Sequence, residues 1–152
     1  MTETTWPDTL QRAEADEVAS LLRSFWQQLA YLPDLVQREE HLLCAACAGE
    51  LRQIVLRMML ALNGIAYPAQ TQHLNTYLGA SQRAAIEKTL AAPFVGAESW
   101  IAQAVALVVI YRWYAPQLSA AYGVPAADRL ETETLALLQA ALPDWPQTIT
   151  TD

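Results

Sequence analysis

Residues 34–64, DLVQREEHLLCAACAGELRQIVLRMMLALNG, decide the fold. They read as one helix of about thirty residues, roughly 45 Å long at the α-helical rise. Pro33 precedes the run, the Asp34 side chain can cap its first amides, and Gly64 can end it. At about 100° per residue, Val36, Leu43, Cys47, Leu51, Ile54, Val55, Met58, Ala61 and Leu62 fall on one face, wide enough to wall a helical core. Glu40 lies within that face, and Glu39, Glu50 and Arg57 lie along one edge of it. A carboxylate in an apolar wall has to be paired, protonated or open to a wet cleft, because an unpaired buried charge costs several kcal/mol. Two readings stay open: a polar seam in a binding groove, or a structural ion pair of Glu40 with Arg57 or with a basic residue of another helix.

Outward from this stretch the chain reads as helices. Residues 8–32, DTLQRAEADEVASLLRSFWQQLAYL, form a first helix with Leu10, Val18, Leu21, Leu22, Phe25, Leu29 and Leu32 on its apolar side. Pro33 disfavours α geometry in the residue before it, so the first two helices are expected to form an antiparallel hairpin. A loop around Pro68 and a short helix ending near Gly79 follow. Ser81 can cap another short helix, which stops at Pro93. Residues 98–122 form a long helix that is apolar on nearly every side, as befits a central one, with Pro116 able to kink it and Gly123 to end it. Pro125 suits the first turn of a last helix, over residues 125–142. The expected architecture is all-α, an up-and-down bundle of about five to six helices built on a long helical hairpin. It forms a single domain with a core over residues 8–142 and loose tails at 1–7 and 143–152.

Composition agrees with that class. Hydrophobic residues make up 53% of the 152 and charged residues only 16%, enough to bury a sizeable core. The net charge of −7 argues against a duplex nucleic-acid binder, which needs a basic stripe for the phosphates. The N-terminal residues do not read as a secretory signal, and no apolar run approaches the roughly 20 residues of a membrane span. The expectation is a cytoplasmic protein.

Few residues suggest chemistry. His41, Cys44 and Cys47 have an H-x2-C-x2-C spacing, but one helix rarely supplies three ligands of a tetrahedral site and no fourth is evident, so no metal or cofactor is expected. A redox Cys pair belongs at a helix N-terminus, and these two are mid-helix. No phosphate-cradling glycine motif is present, and His73 reads as solvent-exposed. Trp26, Tyr31, Tyr67, Tyr77, Trp100, Tyr111, Trp113 and Tyr114 either fill the core or set aromatic faces beside carboxylates, a good environment for an amine. Arg112 shares a stripe with Ile101, Val105 and Val108 and so calls for a carboxylate across the core, with Glu40 as the preferred partner.

Several short motifs occur in a telling order. Phe25-Trp26 is followed by Arg38-Glu39-Glu40, then an Ala-rich stretch, ELRQIVLRMMLALNG at 50–64, Tyr67-Pro68, and later YRWYAPQLSAAYG at 111–123. This order resembles the helical C-terminal half of aminoglycoside adenylyltransferases, especially the 6-adenylyltransferase type. It is similar more broadly to the HEPN-like helical domains that accompany minimal nucleotidyltransferases. In that family catalysis rests on an N-terminal α/β domain with a Gly-Ser motif and paired Asp residues holding magnesium and the nucleotide, and none of that is in this chain. After Tyr67-Pro68, where the family often has a Lys, the chain reads AQTQHL. The R-x4-6-H signature of HEPN ribonucleases is also missing, since Arg38 stands only three residues before His41.

The resemblance implies a stand-alone substrate-binding or partner module without catalysis of its own. It would bind a cationic small molecule or a separate nucleotidyltransferase subunit through Glu39, Glu40, Glu50 and Arg57, with Trp26 and Tyr67 nearby. The alternative is a homodimeric assembly protein with no small-molecule site. A third reading makes Glu39 or Glu50 a general base. No nucleic acid and no membrane is expected among the partners.

Overall fold

The computed structural model describes residues 6–90 and 94–149. Its helices are α1 (Ala15–Leu29), α2 (Leu32–Gln37), α3 (His41–Leu62), α4 (Leu74–Tyr77), α5 (Ala80–Lys88), α6 (Ala97–Tyr122) and α7 (Asp128–Ala141). No strand occurs among the described residues, so the architecture is the expected all-α bundle. One cluster of buried side chains runs from Val18 to Trp145 and draws on every helix but α4. α3 and α6 lie side by side at its centre, and α1 packs along α3. The Cys47 thiol of α3 donates to the Gln28 carbonyl of α1, while Glu17 and Arg57 line the same cleft further along, so these two helices run antiparallel.

The expected thirty-residue helix is broken in two. Glu39 adopts a left-handed backbone with φ +55°, and α2 ends there. The Glu39 amide donates to the Val36 carbonyl and the Glu40 amide to the Leu35 carbonyl, the paired bonds of a Schellman ending. Nothing in Arg38-Glu39-Glu40 announces it, because the left-handed position usually holds Gly or Asn. The same pair of bonds closes α3, from Gly64 to Ala61 and from Ile65 to Leu60, this time with the expected glycine at φ +83°. Glu39→Gly is expected to raise stability by about 0.5–1 kcal/mol, because the side chain's clash in the left-handed region is removed. A urea midpoint that stays put or falls would contradict the turn.

Other ends differ from expectation for local reasons. Asp34 caps nothing and pairs with Arg38 one turn on, at 3.2 Å. Pro33 sits inside the first turn of α2, where its missing amide proton is not needed. Residues 8–14 are not helical: the Ala66 amide donates to the Gln11 carbonyl, and the Asp8 carboxylate accepts from the Thr71 and Tyr77 hydroxyls, both at 2.6 Å. Those two bonds hold the Asp8 carboxyl below its usual pKa. At α5, Gly79 rather than Ser81 stands before the helix, and Gln82 reaches back to accept the Gly79 amide. The stop expected at Pro93 lies outside the described residues. α6 matches its expected span closely, and Gly123 ends it at φ +64°. The C-terminal segment is no loose tail as far as residue 149: Trp145 is buried and Ile149 packs on the core.

Candidate binding groove between the first and third helices

The cleft where α1 meets α3 has a volume of about 530 Å³, within the usual range of ligand sites. α1 offers Glu17, Ser20, Leu21, Ser24, Gln27 and Gln28, with Tyr31 just beyond its end. α3 offers Glu50, Gln53, Ile54 and Arg57. Both sets recur every three or four residues, so each helix turns one stripe toward the cleft. Buried Leu21 and half-buried Ile54 make an apolar floor between hydroxyls, amides and carboxylates.

The structure brings together only part of the expected site. Glu50 and Arg57 line the cleft; Glu39 and Glu40 do not. Glu40 is exposed, because the break in the helix carries Arg38 to Glu40 out to solvent; the placement of Glu40 within an apolar wall is therefore corrected. Its expected ion pair with Arg112 is not formed. Arg112 pairs instead with Glu131 of α7 at 3.1 Å and donates to the Ile149 carbonyl at 3.0 Å. The carboxylate that Arg112 needed comes from the first turn of α7. Trp26 is fully buried, with Phe25 and Tyr111 against its ring, so it is a core residue and no wall of a groove. Tyr67 lies under the Arg57 guanidinium, 5.5 Å from its centroid. That contact turns Arg57 toward an aromatic face, and among the described residues neither it nor Glu17 nor Glu50 forms an ion pair.

The α1 side of the cleft was not foreseen. Its signal was a polar stripe of small hydroxyls and amides, Ser20, Ser24, Gln27 and Gln28, where an exposed helix face usually carries charges. Reading α1 only for its apolar side hid it.

The residues set aside earlier are engaged elsewhere. The Trp100 indole N–H donates to His41 Nδ1 at 3.1 Å, tying the starts of α6 and α3 together. Cys44 and Cys47 are buried, and burial pushes both thiols up, away from the reactive thiolate. Among the described residues no group of three or more His, Cys, Asp and Glu side chains could hold a metal ion. No described helix is long and apolar enough to cross a membrane. No family model, curated protein or solved structure matches this chain. The likeness to nucleotidyltransferase helical domains therefore stands on the short motifs alone.

Proposed function

We propose that the chain is a cytoplasmic helical binding module of the kind that accompanies nucleotidyltransferases, without catalysis of its own. Its α1/α3 groove receives positive charge, from a cationic small molecule or from a basic patch on a separate catalytic subunit. The supporting observation is the state of Glu17 and Glu50. Both line one cleft, and among the described residues both lack an ion pair and the only basic side chain lining the cleft, Arg57, rests on Tyr67. Tyr31, 65% exposed at the cleft's end, adds an aromatic face for an amine.

Calorimetry with spermine tests this reading. Saturable binding is expected, weaker at higher salt, and reduced about threefold or more in Glu50→Gln, as for exposed charge pairs. Binding that is absent, or equal in the double variant Glu17→Gln/Glu50→Gln, would rule the groove out.

One observation favours the homodimeric alternative. Leu42, 88% exposed, and Leu43 project from the start of α3, where the break in the helix leaves them uncovered. Sedimentation of the same sample separates the readings: a monomer that binds spermine supports the groove, and a dimer that refuses it supports assembly.

A further inference from the structure

A second trough lies between α5 and α6, with a volume of about 480 Å³. Its chemistry is the opposite of the first. Ala84 and Ala85 of α5 face Ala106, Val109 and Ile110 of α6, and Trp113 closes one end. Among the described residues no carboxylate lines it, although the chain has 16 acidic residues against 9 basic ones. Its single charge is Lys88, which makes no ion pair among the described residues.

The direction of α5 sets where that charge sits. Asn63, at the end of α3, bonds Gln82 at the start of α5, while Arg52, mid-way along α3, bonds Thr89 just past the end of α5. α5 therefore runs antiparallel to α3. α3 and α6 run parallel, as the contacts from His41 to Trp100 and from Tyr122 to Ala61 show. Lys88 thus stands at the Gln103 end of the trough, and Ser81 and Ala84 at the Trp113 end. The trough follows α5 for ~12 Å at the helical rise. Alanines along its floor keep it open where larger side chains would fill it.

We propose that this α5/α6 trough binds a single-chain amphipathic anion, an alkyl carboxylate, with its hydrocarbon along the alanine floor and its carboxylate at Lys88. Charge decides the class. A trough with one cation and no acid, in a chain otherwise rich in carboxylates, matches an apolar anion and disfavours an apolar cation. A long lysine stem can lie along apolar surface while its ammonium stays at the wet rim. The site is independent of the α1/α3 groove and does not rest on the cationic ligand assigned there.

Calorimetry with decanoate, below its micelle concentration, is the test, with decanol and decylammonium as neutral and cationic controls. Decanoate is expected to bind saturably, with decylammonium weaker. Lys88→Gln is expected to weaken decanoate about threefold or more, while leaving decanol unchanged. Ala106→Phe, which fills the half-exposed floor, is expected to abolish binding of both while circular dichroism stays that of the parent. No saturable decanoate binding, equal binding of decylammonium, or indifference to both substitutions overturns the proposal. A trough closed by a second copy of the chain overturns it too, and shows as a dimer that refuses decanoate and that Ala106→Phe disperses.

Discussion

Trp26→Ala is expected to destabilise the protein by ~4 kcal/mol, the cost of removing a large aromatic from a packed core. Trp26 has no exposed surface. Its ring centroid is 5.0 Å from that of Phe25 and 4.9 Å from that of Tyr111, edge-on to each, and Phe25 stacks on Tyr111 at 4.6 Å. Tyr111 is itself fixed from below, its hydroxyl donating to the Leu22 carbonyl of α1 at 2.9 Å, and burial pushes its phenol far above the ordinary range. The indole thus joins α1 to α6, and alanine would leave a cavity that the two remaining rigid rings, Phe25 and Tyr111, cannot collapse into. Trp26→Phe is expected to behave differently. The Trp26 Nε1–H is buried and makes no hydrogen bond of good geometry among the described residues, the nearby Tyr111 hydroxyl being poorly placed to accept it, and a donor left wholly unmade costs about 1–3 kcal/mol. Phenylalanine removes that donor and keeps most of the ring, so its net cost should stay under ~1.5 kcal/mol. Urea unfolding followed by circular dichroism measures both. An alanine variant losing less than about 1.5 kcal/mol would mean the ring lies outside the packed core. Spermine affinity is a second readout: Trp26→Phe should leave it unchanged if the aromatic belongs to the core alone.

Much of the architecture could be read from spacing, and the particular residues show why the rest could not. α6 was legible because an all-round apolar helix has one place to go, and because Gly123 supplies the left-handed residue that ends it. The α2/α3 break was not, because a glutamate occupies the left-handed position. That turn moved Glu39 and Glu40 from an inferred wall to solvent, and with them half of the expected groove. Helical-wheel geometry assumes an unbroken helix, and an interruption of three residues is enough to rotate everything before it. Most of the face after the break survives: Cys47, Leu51, Val55, Met58 and Ala61 are buried and Ile54 and Leu62 half-buried, but Leu43, at the start of α3, is exposed. What the single wheel face understated is that α3 is buried on a second side too, through Ala48, Leu56, Met59 and Leu60. Pairing partners were the least legible feature. Arg112 needs a carboxylate on chemical grounds, but which helix supplies it depends on how α6 and α7 cross, and periodicity carries no such information. The groove residues Glu50 and Arg57 were found by charge against an apolar background, whereas their α1 counterparts, Ser20 and Ser24, are uncharged and gave no such contrast.

Arg52→Met is expected to cost ~3 kcal/mol, by a different mechanism from Trp26. The Arg52 guanidinium makes three bonds of 2.9 Å: Nε–H to Thr89 Oγ1, and one terminal nitrogen to both the Thr89 carbonyl and Gln103 Oε1. No carboxylate pairs with it among the described residues, and desolvation lowers its pKa. Its charge is met instead by the C-terminal end of α5, where Thr89 is the capping residue and the carbonyls carry the negative pole of the helix. Thr89 and Gln103 are both buried, so methionine would fill the space and leave their acceptors unmade away from water. Lysine keeps the charge but gathers its three N–H donors on one compact nitrogen where the three acceptors need a spread planar fork, so Arg52→Lys should recover less than half of the loss. The two variants separate charge from geometry. If lysine restored full stability, the attraction to the helix end would suffice and the fork would be incidental. Because α5 makes few other contacts with the bundle, the damage should be local first. Amide exchange in Arg52→Met is expected to rise over residues 80–88 well before it rises in α3 or α6. Exchange that rose uniformly would mean that α5 unfolds only with the whole domain, and that Arg52 holds the core rather than pinning one helix to it.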